Sequence, residues 1–277
     1  MASILRSFSQ LAPGNFQVPV GSGPTIDWTK SLTNGLIGCW LPGMGGVDLA
    51  QSGLTLGFSG SIATPAFGST PDGPALNGNN LFLAHCGSSS PFAMQTASAA
   101  MTIFWRGFQV STPAINGGYI GVQYSDPNGS PFVIMILQVD GSGPTNLLVL
   151  WNAGGSLLNY NPSAGLPSNG AMHSLAATGQ SGGNINLYID NVKQGAGTSW
   201  GSAPTASATT SAIIGNGLAN NSYCNIGCFW NRILSDAELT QMHLDPYSFI
   251  VPAEYDPPAM FISAPPSVFV LMPQIVT

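Results

Sequence analysis

The chain predicts an all-β fold: a two-sheet sandwich with one short C-terminal helix and extended arms at both ends. Three observations point there. Short β-forming runs alternate with Gly/Pro/Asn/Ser turns through most of the 277 residues. Charged residues make up only 6% of the chain, against roughly a quarter in an ordinary soluble domain. A single stretch carries a helix-start signature, and it lies near the end.

Residues 1–33 read as an N-terminal arm. Ala12-Pro-Gly-Asn15 and Val20-Gly-Ser-Gly-Pro24 set its character, with scattered apolar residues and no helical period. Regular patterning begins at Asn34-Gly-Leu-Ile-Gly-Cys-Trp40. Strands are then expected at Met101–Phe108, Tyr119–Tyr124, Phe132–Val139, Asn146–Asn152, His173–Thr178, Ile185–Ile189, Ala212–Gly215 and Cys224–Trp230. In the hairpin opened by His173, Ile185, Leu187 and Ile189 alternate with Asn184, Asn186 and Tyr188, and Asp190-Asn191 turns the chain again. One domain over residues 34–249 accommodates all of this.

The helix follows. Ser235 is placed as N-cap with Glu238 three residues on, a capping box, while Leu234 and Leu239 occupy the positions of a hydrophobic staple. Pro246 stops it. From Ile250 the chain is apolar and punctuated by proline, a C-terminal arm over residues 250–277. Its last nineteen residues, from Ala259, contain no charge. Exposed in water, Phe261, Ile262, Val268, Phe269, Val270, Leu271 and Ile275 would form an apolar patch, which marks them as assembly contacts.

Composition also bounds the partners. Five basic residues, Arg6, Lys30, Arg106, Lys193 and Arg232, stand far apart in a chain of net charge −6, so nucleic acid is not an expected partner. No apolar run is long enough to span a bilayer; the C-terminal one is broken by Pro265, Pro266 and Pro273. The N-terminus lacks the apolar core of an export signal. Cys39, Cys86, Cys224 and Cys228 are read as core packing; they show no zinc spacing, and disulfides are not expected. No cofactor or metal is expected.

Candidate chemistry is sparse. Gly179-Gln-Ser181-Gly-Gly183 matches a nucleophile-elbow pattern, but an alternating strand follows it where a helix is required, so it reads as a hairpin turn. Glycoside hydrolysis needs two facing carboxylates, and no strand-like run holds two acids. Asp126, Asp140 and Asp190 sit at turns. His173 is expected to be hydrogen-bonded near a sheet edge, and His243 to serve the carbonyls ending the helix. Of the tryptophans, Trp40, Trp105, Trp151 and Trp230 read as core. Trp200, in Gly197-Thr-Ser-Trp-Gly-Ser202, reads as a loop residue and the best candidate for an exposed aromatic contact.

Six segments in order, Asn34–Trp40, Asp48–Gly53, Gly73–Leu76, Met101–Arg106, the His173 hairpin and Asn231–Leu239, resemble a laminin-G-like domain of the concanavalin A-like lectin/glucanase superfamily. In that pattern Gly73–Leu76 takes the place of an edge strand. The ending His243-Leu-Asp-Pro-Tyr-Ser-Phe249 is similar to a subset found in tailed-bacteriophage and prophage structural proteins. The resemblance implies a concanavalin A-like jelly roll. It also implies a calcium-loop position at Asp48, which by its local sequence reads instead as satisfying loop N–H groups. The expected function is a non-enzymatic virion protein of a tailed phage, a capsid decoration, head-fibre or tail-associated component, with other virion proteins and further copies of itself as partners and the virion as its location. The alternatives are a carbohydrate-binding module for host surface glycans and, third, a glycoside hydrolase.

Overall fold

The computed structural model describes residues 23–44, 48–50, 57–59, 67–77, 81–87, 100–125, 131–142, 145–153, 156–202, 209–216 and 222–251. Its strands are β1 (Thr25–Ile26), β2 (Leu36–Trp40), β3 (Gly57–Ser59), β4 (Phe67–Thr70), β5 (Gly73–Asn77), β6 (Leu81–Gly87), β7 (Ala100–Gln109), β8 (Gly118–Ser125) and β9 (Pro131–Val139). There follow β10 (Leu147–Ala153), β11 (Ser156–Tyr160), β12 (Ala171–Gln180), β13 (Asn184–Ile189), β14 (Val192–Ser199), β15 (Thr209–Asn216), β16 (Ser222–Trp230), the helix α1 (Asp236–Leu244) and β17 (Ile250–Val251). All eight predicted runs are strands.

Two antiparallel sheets face each other. One runs β11-β10-β9-β8-β15-β6-β3, the other β14-β13-β12-β7-β16-β5-β4, with β2 also against β16. Gly73–Leu76, expected at an edge, lies inside, because β4 pairs beyond it from Phe67↔Leu76 to Thr70↔Gly73. β12 is likewise interior, ten residues in register with β7. His173 therefore sits in the middle of a sheet and not near its edge.

The main core lies between the sheets. Trp40, Trp105, Trp151, Trp200 and Phe229 are buried there with Ile185, Leu187 and the inward residues of β8, β9 and β10. Trp105 of one sheet meets Tyr119 of the other edge-to-face, with centroids 5.0 Å apart. A second cluster covers the outer face of the eight-stranded sheet. There Phe104, Cys39, Cys228 and Trp230 pack under Leu239 and Met242 of α1 and against Tyr247 and Phe249. Tyr188, on the polar face of its strand by alternation, is buried in this cluster.

Parts of both expected arms belong to this body. β1 pairs with β17, Ile26 opposite Ile250, and both isoleucines are buried. Leu32 is buried too, and its carbonyl accepts the Trp230 indole N–H at 2.7 Å. The assembly contacts read from the sequence, Phe261, Ile262, Val268, Phe269, Val270, Leu271 and Ile275, lie outside the described residues.

Candidate functional site

Where α1 crosses the sheet, the chain gathers a network of Asp72, Arg106, His173, Ser174, Asp190 and His243. Arg106 and Ser174 are cross-strand neighbours on β7 and β12, both facing the helix. A bulge in β16 throws Asn225 out of register. Its amide donates to Thr70 Oγ1 (2.8 Å) and to the Gly73 and Pro74 carbonyls (3.3 and 3.2 Å), which fixes the β4–β5 hairpin. That hairpin carries Asp72, fully buried, to within 2.5 Å of Arg106 Nε. Arg106 Nη1 also donates to the His243 carbonyl at 3.3 Å. The cation expected at the end of the helix is thus supplied by Arg106 from the sheet, while the His243 ring turns to Ser174, with Nδ1 2.7 Å from Oγ.

Asp190 ties the other side together. It sits in the turn after β13 with φ 48°, followed by Asn191 at 64°, the left-handed pair that a tight hairpin requires. Its Oδ1 accepts from Ser174 N (2.9 Å), and its Oδ2 lies 2.7 Å from His173 Nδ1. His173 Nε2 is 2.9 Å from the Ser168 carbonyl. Both ring nitrogens face acceptors, an arrangement that the doubly protonated imidazolium satisfies. Burial opposes that charge, but the hydrogen bond and negative charge of Asp190 outweigh it, and the His173 pKa is raised. Burial raises Asp190 as well, and its bonds to His173 and Ser174 outweigh this to leave it lowered. His243 is lowered, chiefly by burial. Burial favours its neutral form, and in the tautomer protonated on Nε2 the ring accepts from the Ser174 hydroxyl at Nδ1.

A serine hydroxyl on a neutral histidine is the geometry of an activated nucleophile. The space beside Ser174, lined by Phe104, Ala176, Tyr188, Asn191 and Leu239, has room for about one water and no acyl group. In this arrangement the network clamps helix to sheet. None of the described strands contains an Asp or Glu, so no two carboxylates face each other along a strand.

The remaining candidates are placed as follows. Ser181 lies in the β12–β13 hairpin turn. Asp48 is buried and its Oδ1 accepts from Cys39 N (2.7 Å) and Ala50 N (2.9 Å), the loop role read from sequence. Among the described residues no group of three or more His, Cys, Asp or Glu is arranged to hold a metal. Cys39, Cys224 and Cys228 are free and buried. Trp200 lies just past β14, outside the strand as expected, but it is fully buried and not exposed, and its indole N–H donates to the Asn152 carbonyl at 2.9 Å. Gly179 makes room for it, since a Cβ there would come within 2.8 Å of the ring.

No family model and no curated protein matches the sequence. Solved structures do resemble the fold. One is the sialidase of Trypanosoma rangeli in complex with 2,3-difluoro-KDN, at TM-score 0.55 and 14% identity, the match covering 76% of this chain and 32% of that one. Another is domain 4 of AbnA, a GH43 extracellular arabinanase from Geobacillus stearothermophilus, in complex with arabinotriose: TM-score 0.56, 13% identity, 75% of this chain and 98% of that one. A third is the binding domain of Paraclostridial mosquitocidal protein 1, at TM-score 0.55 and 13% identity, with 77% and 52% covered. The chain thus spans about a third of the sialidase and half of the toxin domain. The shared property is the fold. It is a β-sandwich of two antiparallel sheets.

Proposed function

We propose that this chain is a non-enzymatic structural protein of a tailed-bacteriophage virion, a capsid decoration, head fibre or tail-associated component. Its sandwich is displayed while the terminal segments join neighbouring chains. The observation that carries the reading is the uncharged, apolar run from Ala259 to Thr277, attached to a body with few charges of its own. A surface so poor in charge has little self-repulsion to keep it monodisperse, and suits a protein largely covered by its neighbours. The helix-clamping use of the Ser174–His243 pair, beside a space too small for an acyl group, supports a non-catalytic role. The test is the protein content of virions purified from lysates of the source strain. The chain should be present in stoichiometric copy number, and a version lacking residues 259–277 should fold but stay out of the particles. Absence from purified virions, or normal incorporation of the truncated chain, refutes the reading.

A second reading, compatible with display, is recognition of host surface glycans. It is favoured by the likeness to the arabinanase domain seen with arabinotriose, which spans nearly all of that chain. With Trp200 buried, the exposed aromatic among the described residues for stacking on a sugar ring is Trp28, 46% exposed. Glycan-array binding lost in Trp28→Ala supports this reading; no binding to any glycan removes it.

A further inference from the structure

One end of the sandwich is formed by two edge strands, β11 of the seven-stranded sheet and β14 of the other. Tyr160 joins them, its hydroxyl donating to the Gln194 carbonyl (2.7 Å) and accepting from Gly197 N (2.9 Å). The two edges are built differently. β14 carries Lys193, two left-handed glycines (Gly195 and Gly197) and a register shift, devices that stop further strands from adding. β11, Ser-Leu-Leu-Asn-Tyr, has no charge, no proline, no glycine and an unbroken register against β10. Its free edge pairs with no described strand. Leu157 and Leu158 point to opposite faces, and both are exposed, at 54% and 41%. An apolar, regular, unguarded edge is a template for strand addition.

We propose that β11 is the acceptor for the C-terminal segment of a second copy of this chain, residues 267–272, added as a further strand. This rests on the assembly reading above and names the surface and the partner. The segment Ser-Val-Phe-Val-Leu-Met lies between Pro266 and Pro273, which limit it to one short strand of about the length of β11. Neither strand brings a charge that pairing would desolvate. Main-chain hydrogen bonds supply the affinity, and Val268, Phe269 and Val270 alternate beside Leu157 and Leu158. The last described residue is Val251, on β17, which packs with the helix cluster over the outer face of the eight-stranded sheet. β11 belongs to the other sheet. The fifteen intervening residues, 252–266, reach up to about 50 Å when extended, enough to leave the parent body and meet a neighbour. Head-to-tail exchange of this kind closes into a ring or grows as a filament.

The experiment compares the full chain with three variants, each checked for a native thermal transition: Leu157→Lys/Leu158→Lys, the control Val192→Lys on β14, and the deletion of 259–277. Light scattering over a dilution series reads mass, and hydrogen exchange reads residues 156–160. The inference expects the lysine pair to weaken self-association by about tenfold or more, and the control to leave it unchanged. It also expects residues 156–160 to be protected in the full chain, increasingly with concentration. In the deleted chain the amides of this stretch that point away from β10 should exchange freely until the synthetic peptide Ser267–Met272 is added, while those bonded to β10 stay protected. Dissociation by the deletion but not by the lysine pair overturns the β11 assignment and leaves the assembly reading standing. Protection independent of concentration overturns the second copy in favour of the chain's own segment. An unchanged mass after deletion sinks the assembly reading and this inference with it.

Discussion

Replacing Glu238 with Gln tests how the helix is locked to the body. The Glu238 carboxylate is held by Arg232 through two bonds, Nη2–Oε1 at 2.6 Å and Nη1–Oε2 at 2.9 Å. It also accepts from Ser235 N at 2.9 Å, closing the capping box in which Ser235 Oγ accepts from Glu238 N. Arg232 reaches on to the Asn34 carbonyl at 2.6 Å, so one carboxylate joins helix α1 to the chain entering β2. The Arg232 hydrogen bond is the largest cause holding the Glu238 pKa down at about 2 from the ordinary 4.5. A depressed carboxylate stabilises the fold above its unfolded value, and the contribution is lost as pH falls through the folded one. The full difference corresponds to about 3.4 kcal/mol for an unscreened group. The pair is partly exposed to water, which reduces the expected value to about 1 kcal/mol. Urea unfolding at pH 7 should therefore place Glu238→Gln about 1 kcal/mol below the parent, with the gap closing as pH falls from about 4.5 towards 2. Ser235→Ala should cost about 1 kcal/mol, and the double variant less than the sum. A gap that persists at pH 2, or strict additivity, refutes the coupled box.

Three further outcomes are expected. Trp200→Phe takes the indole donor from the buried Asn152 carbonyl and leaves a cavity where the larger ring stood, and should lower stability by about 1–3 kcal/mol in thermal or urea unfolding. Burial pushes the Cys224 and Cys228 thiols up, so alkylation of the native protein should spare Cys39, Cys224 and Cys228, and all three should react in urea; peptide mapping reads this directly. His173→Gln should destabilise most at pH 5–6. A raised histidine pKa gives stability that is present below about 6.5 and lost as pH rises through the folded value, so the difference should shrink in alkaline buffer.

What the sequence revealed follows from the range of the forces involved. The capping box was legible because its partners are three residues apart. The strand centres were legible through their apolar runs, but their ends were not. His173–Thr178 extends to Ala171–Gln180 because β7 offers a full ten-residue ladder, a partner no local pattern announces. β11 and β14 went unread because an edge strand needs no buried face, so Leu157-Leu158-Asn159 and Lys193-Gln194-Gly195 show no alternation. Trp200 was read as exposed because Gly, Thr and Ser around it suggest an open loop, whereas its burial is set by Asn152, forty-eight residues away. The helix-clamping network is also long in range. Asp72 and Arg106 are separated by 34 residues, and Ser174 and His243 by 69. Its one local signal was the Asp190-Asn191 turn.

The use of the few charges bears on what the surface can recognise. Arg106 is buried against Asp72 and the end of α1, and Arg232 is engaged by Glu238 and the Asn34 carbonyl. Lys30 lies 3.9 Å from Asp27 in a surface turn, and Lys193 sits on the β14 edge. These four positions are on four separate elements, and two of the four hold the helix and the entering strand to the sheet. The described surface therefore offers no cluster of cations to neutralise a phosphate backbone. Recognition there must rely on apolar contact, main-chain hydrogen bonds and aromatic stacking. Those are the forces by which strands add to an open edge and by which sugars are held, and both act with little dependence on salt. An association that weakened steeply with ionic strength would contradict this account, because the described residues contain no set of charges able to produce it.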